Sequence, residues 1–156
     1  MKKTKLALSV IALAGLMWLT ACNDDNNSNG SNSNNNTNNN NQVTNTPPSL
    51  ANKSLTHNVN SGTGRFVDSG TYTLNLGGSD SSTSGEFTLF GVSGVADSSG
   101  TYTYTVTGKN TATLRLDDTQ QNLIVTEDLT FLTATSGNYT KSIPDGSTQT
   151  GTFVTN

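Results

Sequence analysis

Four carboxylates are the residues of this sequence whose types and spacing could do chemistry. Asp117-Asp118 and Glu127-Asp128 flank the stretch 119–126, and a hairpin there would bring the two acidic pairs together. Carboxylate oxygens bind calcium, and two carboxylates can act as acid and base on a glycoside. The alternative is a solvated turn, because aspartate in a turn accepts hydrogen bonds from nearby backbone N–H groups. The turn is the favoured interpretation.

Glu127 is the most informative of these acids. It has the same strand parity as four apolar neighbours, Leu123, Val125, Leu129 and Phe131. On one unbroken strand Glu127 would therefore point inward, and a buried carboxylate is costly unless it is paired. A bulge near Thr126 would turn the side chain outward at little cost. The bulge is favoured, and Glu127 is kept as a candidate ligand-lining residue.

No other catalytic pattern is present in the sequence. It contains neither a Gly-x-Ser-x-Gly elbow nor a phosphate-binding loop. The sole histidine, His57, lies among polar neighbours in the stretch 50–60 and is expected to be solvated. No second histidine is available to complete a soft metal site with it. We therefore expect a protein that is not an enzyme and has no cofactor or metal.

The N-terminus has the pattern of an export signal. Residues 1–5 carry three lysines and no acid, and a run of 13 mostly apolar residues follows at 6–18. That run suits the core of a signal peptide and is too short for a permanent membrane-spanning helix. The lysines would hold the start of the segment at the cytoplasmic face of the membrane.

The apolar run ends in Leu19-Thr20-Ala21-Cys22, which resembles the lipobox of bacterial lipoproteins. The resemblance implies that residues 1–21 are removed as a signal peptide. It also implies that Cys22 receives a diacylglycerol on its sulfur and an acyl chain, such as palmitate, on its new amino group. Two or three acyl chains give stable membrane attachment, at about 0.8 kcal/mol per buried methylene.

The residues after the cysteine bear on where the protein is sorted. In enteric bacteria an aspartate directly after the lipidated cysteine favours the inner membrane, and here that position is Asn23. By this resemblance the protein is expected at the outer membrane. Asp24-Asp25 also resembles a surface-export signal of another bacterial group, so both destinations stay open within the bacterial cell envelope.

A polar linker follows the lipidation site. Residues 23–46 contain 13 asparagines in 24 positions, and such a stretch cannot bury enough apolar surface to offset its loss of conformational entropy. Pro47-Pro48 closes this zone, and 50–60 is interpreted as a transition. We therefore assign residues 22–61 to the lipidated cysteine and a disordered linker.

Residues 62–156 have the strict alternation of β-strands. In Thr71-Tyr72-Thr73-Leu74-Asn75-Leu76 one face is apolar and the other is polar, which is typical of a strand with one buried face. The candidate strands are 65–67, 71–76, 86–90, 101–106, 111–116, 122–132, 138–143 and 151–154. The turn at 108–110, between two alternating runs, predicts a hairpin.

About eight strands at short spacing predict an all-β domain with antiparallel strands. The two architectures that fit are a small barrel with meander topology and a two-sheet β-sandwich. The barrel is favoured because sequential hairpins form a meander and closure removes exposed strand edges.

Three pairs of short segments resemble each other within the domain: 68–73 with 97–103, 83–88 with 135–140, and 63–67 with 150–154. A partial duplication explains these pairs, and so does the general likeness of threonine-rich strands that follow glycine turns. Similar first and last strands would suit neighbours that meet at the closing seam of a barrel.

The runs 100–114 and 129–139 resemble bacterial secreted and lipoprotein β-domains with lipocalin-like or calycin-like strands. The Gly-x-Trp signature of true lipocalins is missing, since the only tryptophan is Trp18. The resemblance implies a barrel, and it allows a carrier of a small apolar ligand. The aromatic residues expected to line its cavity are Tyr72, Phe87, Tyr102, Tyr104 and Phe131.

Charge narrows the choice of partners. Without residues 1–21 the chain has 5 basic and 11 acidic residues, a net charge near −6, which disfavours nucleic acid and anionic lipid surfaces as partners. The leading hypothesis is a membrane-anchored, non-enzymatic module that is structural or binds an envelope protein. The carrier of a small apolar ligand is the second, and a hydrolase that uses the acidic pairs is the third.

Overall fold

The structure is a computed structural model, which describes residues 44–91 and 94–156. The predicted signal peptide, Cys22 and most of the predicted linker lie outside the described residues. The described chain forms eight strands: β1 Lys53–Gly62, β2 Gly70–Leu76, β3 Ser84–Phe90, β4 Ser98–Val106, β5 Thr111–Asp118, β6 Leu123–Thr133, β7 Ser136–Ser142 and β8 Thr148–Thr155. In this part of the chain no helix is long and apolar enough to cross a membrane.

The eight strands close into an antiparallel barrel. Each strand pairs with the next along the chain, and β8 pairs with β1 to complete the circle. The predicted meander barrel is confirmed, and the two-sheet sandwich does not form. The hairpin predicted at 108–110 connects β4 and β5, where the Thr107 and Gly108 N–H groups both donate to the Thr111 carbonyl oxygen.

Alternation along each strand sorts the side chains between the barrel interior and the surface. In β8 every second residue from Gln149 to Thr155 is buried and its neighbours are exposed. Threonines occupy many of the outward positions, where β-branched side chains favour the extended backbone. The inward positions build one apolar core, in which Leu55, Leu74 and Leu114 are fully buried.

The first strand was not predicted, and the barrel begins at Lys53 rather than at residue 62. The inward residues of β1 are Leu55, His57 and Val59, all buried. A histidine at the centre of the inward face hid the apolar alternation of this strand. The segment 65–67, predicted to be a strand, instead lies in the loop between β1 and β2.

Residues 45–51, here called the N-terminal strap, close one end of the barrel. The Thr46 N–H donates to the Lys109 carbonyl (3.1 Å), and the Tyr104 hydroxyl donates to the Pro47 carbonyl (2.8 Å). Leu50 is 1% exposed and belongs to the core. The strap was predicted to be part of a disordered linker; that prediction is wrong for 45–51, because Leu50 finds an apolar site between the strands.

Glycines allow bulky inward rings to pack between neighbouring strands. In the β3–β4 and β7–β8 hairpins, each of four aromatic residues lies opposite a glycine on the partner strand. The pairs are Tyr102 with Gly85, Phe87 with Gly100, Phe153 with Gly137, and Tyr139 with Gly151. The glycine positions leave room for the rings because they have no side chain of their own.

Candidate ligand-binding site

Glu127 points into the barrel. The β5–β6 register continues without a shift through Arg115–Thr126 and Leu114–Glu127, and the irregularity of β6 lies later, between Phe131 and Thr133. The predicted bulge near Thr126 is therefore wrong. Glu127 is fully buried, and such a carboxylate is stable only with partners.

Two side chains from distant strands supply those partners. Glu127 Oε1 lies 2.6 Å from His57 Nε2, and Glu127 Oε2 lies 3.2 Å from Lys141 Nζ. His57 is fully buried and Lys141 nearly so. The expectation that His57 is solvated is wrong, because Glu127 provides a hydrogen-bond partner that a neighbour in sequence could not.

The His57 ring is held between two tyrosines. It stacks on Tyr72 (centroids 4.7 Å apart, planes at 10°) and meets Tyr139 edge-on (4.7 Å, 84°). Burial lowers the pKa of His57, and the Lys141 ammonium lowers it further, against the opposing effect of Glu127. A neutral ring that donates from Nε2 to Glu127 leaves Nδ1 as a bare acceptor. Nδ1 has no hydrogen-bond partner among the described residues.

Glu127 itself is ionised. Burial alone would raise the pKa of its carboxyl group, but His57 and Lys141 next to it outweigh burial and lower the pKa to about 2. Charge-assisted contacts of this kind favour the charged form of a carboxyl group. The pair of Glu127 and Lys141 therefore places one negative and one positive charge inside the barrel, side by side.

The polar network continues from Lys141 toward the end of the barrel opposite the N-terminal strap. Lys141 Nζ donates to the Tyr72 hydroxyl (2.6 Å) and lies 4.7 Å from the centroid of that ring. The Tyr72 and Tyr139 hydroxyls both donate to Gln149 Oε1, over 2.9 and 3.2 Å. Gln149 Nε2 donates to the Val67 carbonyl (3.0 Å). Burial raises the pKa of both tyrosines, which keeps them protonated.

A cavity of about 220 Å³ occupies the barrel at the end opposite the strap. We call this the open end. The cavity is walled mainly by apolar side chains, among them Phe66, Val67, Phe87, Leu89, Leu116 and Val125. Its polar inner surface consists of Tyr72, Lys141 and Gln149, and Arg65 and Asp118 also line it. The arrangement is an apolar container with a few polar groups in fixed positions, as in many small-molecule sites.

The structure brings two of the residues expected to line a ligand cavity to this cavity and places the others elsewhere. Tyr72 and Phe87 line the cavity. Tyr102 and Tyr104 instead pack toward the strap end, where the Tyr102 hydroxyl donates to the Gly77 carbonyl (2.8 Å). Phe131 is buried against the Phe153 ring (5.1 Å). These three rings fill the barrel rather than line the cavity, and Glu127 lies behind Lys141 and outside the lining.

Two cavity residues were missed from the sequence although their strand parity indicates them. Lys141 has the parity of Tyr139 and Ile143, and Gln149 has the parity of Phe153. All of these side chains are buried. Alternation alone therefore places Lys141 and Gln149 inside, although their polarity suggests the surface.

The two acidic pairs Asp117-Asp118 and Glu127-Asp128 do not form a common site. Asp118 pairs with Leu123, whereas Glu127 lies four residues further along β6, a separation of roughly 13 Å along a strand. Glycosidase carboxylates lie within about 10 Å of each other, so the predicted acid–base pair is not assembled.

Asp118 and Asp128 each have hydrogen-bond partners close by. Asp118 accepts hydrogen bonds from the Ser98 hydroxyl and from two N–H groups of the following turn, and Asp128 accepts one from Thr113 (2.9 Å). In 44–91 and 94–156, no group of three or more histidine, cysteine, aspartate or glutamate side chains could hold a metal ion. Asp118 therefore accepts hydrogen bonds from the turn that follows β5, as the favoured interpretation of Asp117-Asp118 expected, but it is buried rather than solvated.

The buried network predicts that acid destabilises the fold. Below pH 6.5 the unfolded chain protonates His57 while the folded chain, with its lowered pKa, resists. Between pH 4.5 and about 2 the same holds for Glu127. In both windows the unfolded state binds more protons, so the free energy of unfolding falls with falling pH, by at most roughly 1.4 kcal/mol per pH unit for each proton.

Urea denaturation at pH 7, 5.5 and 4 would measure this effect. A His57→Gln variant is expected to lose the part of the slope between pH 7 and 5.5 and to keep the part near pH 4. A wild-type stability that does not change between pH 7 and 5.5 would contradict the buried, neutral state of His57.

Comparison of the chain with protein-family models, with curated proteins and with solved structures finds no match. What the protein does has to follow from the barrel and the residues around its cavity.

Proposed function

We propose that this protein is a lipid-anchored, non-enzymatic module of the bacterial cell envelope that binds a small, largely apolar molecule in the open end of its barrel. The observation that carries the proposal is the asymmetry of the barrel. The strap and the aromatic side chains fill one end, while the other holds a cavity of about 220 Å³ with mainly apolar walls.

The size of the cavity limits the ligand. Engineered apolar cavities of about 150 Å³ hold benzene, and sites for drug-sized molecules begin near 300 Å³. A cavity between these values suits a compact molecule of roughly ten non-hydrogen atoms. Long acyl chains and multi-ring compounds are too large for it.

An unfilled cavity of this kind is not a requirement of the fold. Eight-stranded barrels can fill their interiors with their own side chains, and this barrel does so around Leu55, Leu74 and Leu114. Leaving apolar side chains without packing partners costs stability. A ligand in the open end would restore those contacts, which favours a binding role over a purely structural one.

The attachment of the chain is compatible with access to the cavity. The strap joins β1 at the closed end, so residues 45–51 lie on the side of the barrel away from the cavity. Together with the lipobox resemblance at Cys22, this supports a tethered binding module in which the strap leaves the open end uncovered.

Native mass spectrometry of the protein secreted from its native host tests the proposal. The chain from residue 22 with Cys22→Ser is exported by a signal peptide that is cleaved without lipidation, so that detergent is not needed. We expect a co-purifying small organic mass. Leu89→Trp, which adds bulk at the cavity wall, should abolish it, whereas Leu132→Trp at a surface position that is 62% exposed should not. A clean apo mass for the unmodified barrel, and no binding of small aromatic probes, would rule the binding role out.

A separate fractionation tests the anchor. The full-length protein is expected in the membrane fraction of its host. A Cys22→Ser variant in which residues 1–21 are replaced by a signal peptide that is cleaved without lipidation is expected in the soluble envelope fraction. If the variant stays with the membrane, the lipid on Cys22 is not what attaches the protein.

A further inference from the structure

We infer that the ligand of this cavity is an uncharged molecule whose inner end carries a hydrogen-bond acceptor, such as a ketone or aldehyde carbonyl oxygen. This inference rests on the proposed binding function and specifies its ligand class. It follows from which hydrogen-bonding positions the inner surface of the cavity leaves without a partner.

Two donors at the inner surface remain available. The Lys141 ammonium has three N–H groups, of which one bonds to the Tyr72 oxygen and one faces Glu127 Oε2. The third has no hydrogen-bond acceptor among the described residues, and the ammonium otherwise lies only over the Tyr72 and Tyr139 rings, at 4.7 and 5.6 Å from their centroids. The Gln149 amide has two N–H groups and uses one of them on the Val67 carbonyl, so one donor is left there too.

The acceptors at the same surface are largely used. Gln149 Oε1 already accepts from both the Tyr72 and the Tyr139 hydroxyls, and the Tyr72 oxygen accepts from Lys141. A ligand in the cavity would cut these donors off from water, which is costly unless the ligand places an acceptor where they can reach it. A ligand group that can only donate would find no comparable partner.

The charge of the network selects against ionised ligands. Glu127 faces Lys141 over 3.2 Å and balances its charge, and the neutral His57 adds none. A carboxylate would compete with Glu127 for one ammonium and add an uncompensated charge, while an ammonium would face Lys141 itself. Both are expensive away from water. Arg65 and Asp118, which also line the cavity, have opposite signs and give no net preference.

The test compares probes of nearly equal shape by isothermal titration calorimetry on the chain from residue 22 with Cys22→Ser. Acetophenone carries the carbonyl oxygen, α-methylstyrene replaces it with a methylene group, and benzoate replaces the methyl ketone with a carboxylate. We expect acetophenone to bind about tenfold more tightly than α-methylstyrene, as one or two hydrogen bonds predict. Benzoate should bind more weakly than acetophenone.

A matched pair of variants assigns the difference to the inner surface. Gln149→Met removes one donor at the inner surface, and is expected to cut the preference for acetophenone at least threefold while α-methylstyrene binds as before. Gln121→Met makes the same chemical change at an exposed lining residue and should leave the preference intact. The melting temperature of each variant shows that it is folded.

The outcomes separate the inference from the function. Equal binding of acetophenone and α-methylstyrene would overturn the inference and leave the binding function standing. Tighter binding of benzoate would also overturn it, in favour of an anionic ligand. Binding of none of the probes, together with a clean apo mass from the native host, would overturn the proposed function itself.

Discussion

Lys141→Met is expected to lower the free energy of unfolding by about 3–5 kcal/mol. Methionine keeps an unbranched side chain, one atom shorter than that of lysine, but leaves Glu127 fully buried with only the neutral His57 beside it. Breaking a buried ion pair by removing one partner costs about this much, since the remaining charge has lost both water and its counter-ion. Urea denaturation at pH 7, followed by circular dichroism, measures the change.

The double variant Lys141→Met with Glu127→Gln is the decisive comparison. It removes both charges, so its cost is expected to be at least 2 kcal/mol smaller than that of Lys141→Met alone, as the coupling of buried pairs predicts. Lys53→Met changes an exposed lysine of β1 and should alter stability by less than about 0.5 kcal/mol. A cost below 1 kcal/mol for Lys141→Met would mean that Glu127 is not held as a buried anion.

The buried ion pair of Glu127 and Lys141 is explained better by where it places the ammonium group than by a gain in stability. Apolar residues of equal volume often stabilise a core as well as a buried ion pair does. An apolar replacement could not hold an ammonium group at a fixed place on the cavity surface. Lys141 does so, and its Nζ donates to the Tyr72 hydroxyl. The buried Glu127 is therefore interpreted as the group that orients Lys141 toward the cavity, while His57 holds the other carboxylate oxygen of Glu127.

Most of the barrel could be predicted from alternation alone. Runs such as 71–76 and 111–116 place apolar residues on one face and small polar residues on the other, and these became β2 and β5. Short turns between such runs leave antiparallel neighbours as the simplest arrangement, and closure follows from eight strands that would otherwise have two bare edges.

The candidate site could not be predicted in the same way because its partners are far apart in the chain. His57 and Glu127 are separated by 70 positions, and each one alone looks like a polar residue that should avoid the core. Because charged side chains usually face water, a bulge at Thr126 that turns Glu127 outward was predicted to cost less free energy than burial of its carboxylate. Only the register of β1, β6 and β7 around the closed barrel brings His57, Glu127 and Lys141 into contact with one another.

The strap was missed for a related reason. Thr46 and Pro47 belong to a polar stretch without periodicity, and Leu50 is one apolar residue among polar ones. The sequence pattern around such a segment indicates no packing partner for it. The end of the barrel supplies one, and backbone contacts such as the Tyr104 hydroxyl bond to Pro47 fix the segment there.

The segment pair 83–88 and 135–140 takes equivalent places in the fold, in β3 and β7, four strands apart around the barrel. Each strand forms a hairpin with the next in which glycines face aromatic rings. The pair 68–73 and 97–103 includes parts of β2 and β4 and does not share this spacing. The segment 63–67 lies in the loop between β1 and β2, although β1 and β8 do meet at the seam. The four-strand spacing that a duplication predicts is therefore found for one of the three pairs.

The pairing of glycines with aromatic rings in these hairpins leads to the second prediction with a large expected effect on stability. Gly137→Ala is expected to cost about 3 kcal/mol or more, since a Cβ there would lie 2.0 Å from the Thr130 carbonyl oxygen and 2.9 Å from Cε1 of Phe153. Neither group can yield without shifting a strand or a packed ring, and overpacking of this kind is at the upper end of its usual range.

Two further glycines make the prediction a graded one. At Gly85, the matching position of β3, a Cβ would lie 2.5 Å from the Gly77 carbonyl oxygen and 3.0 Å from the Tyr102 ring, whereas at Gly77 the nearest atom is 3.4 Å away. The cost measured by urea denaturation should therefore fall in the order Gly137→Ala, Gly85→Ala, Gly77→Ala, with the last within about 1 kcal/mol of the unmodified barrel. Chain entropy alone would make each Gly→Ala change slightly stabilising, so equal costs at all three positions would mean that the contacts of the added Cβ do not set the penalty. The graded order would show that the sequence has to preserve the close approach of these glycines to a neighbouring backbone carbonyl and to an inward ring.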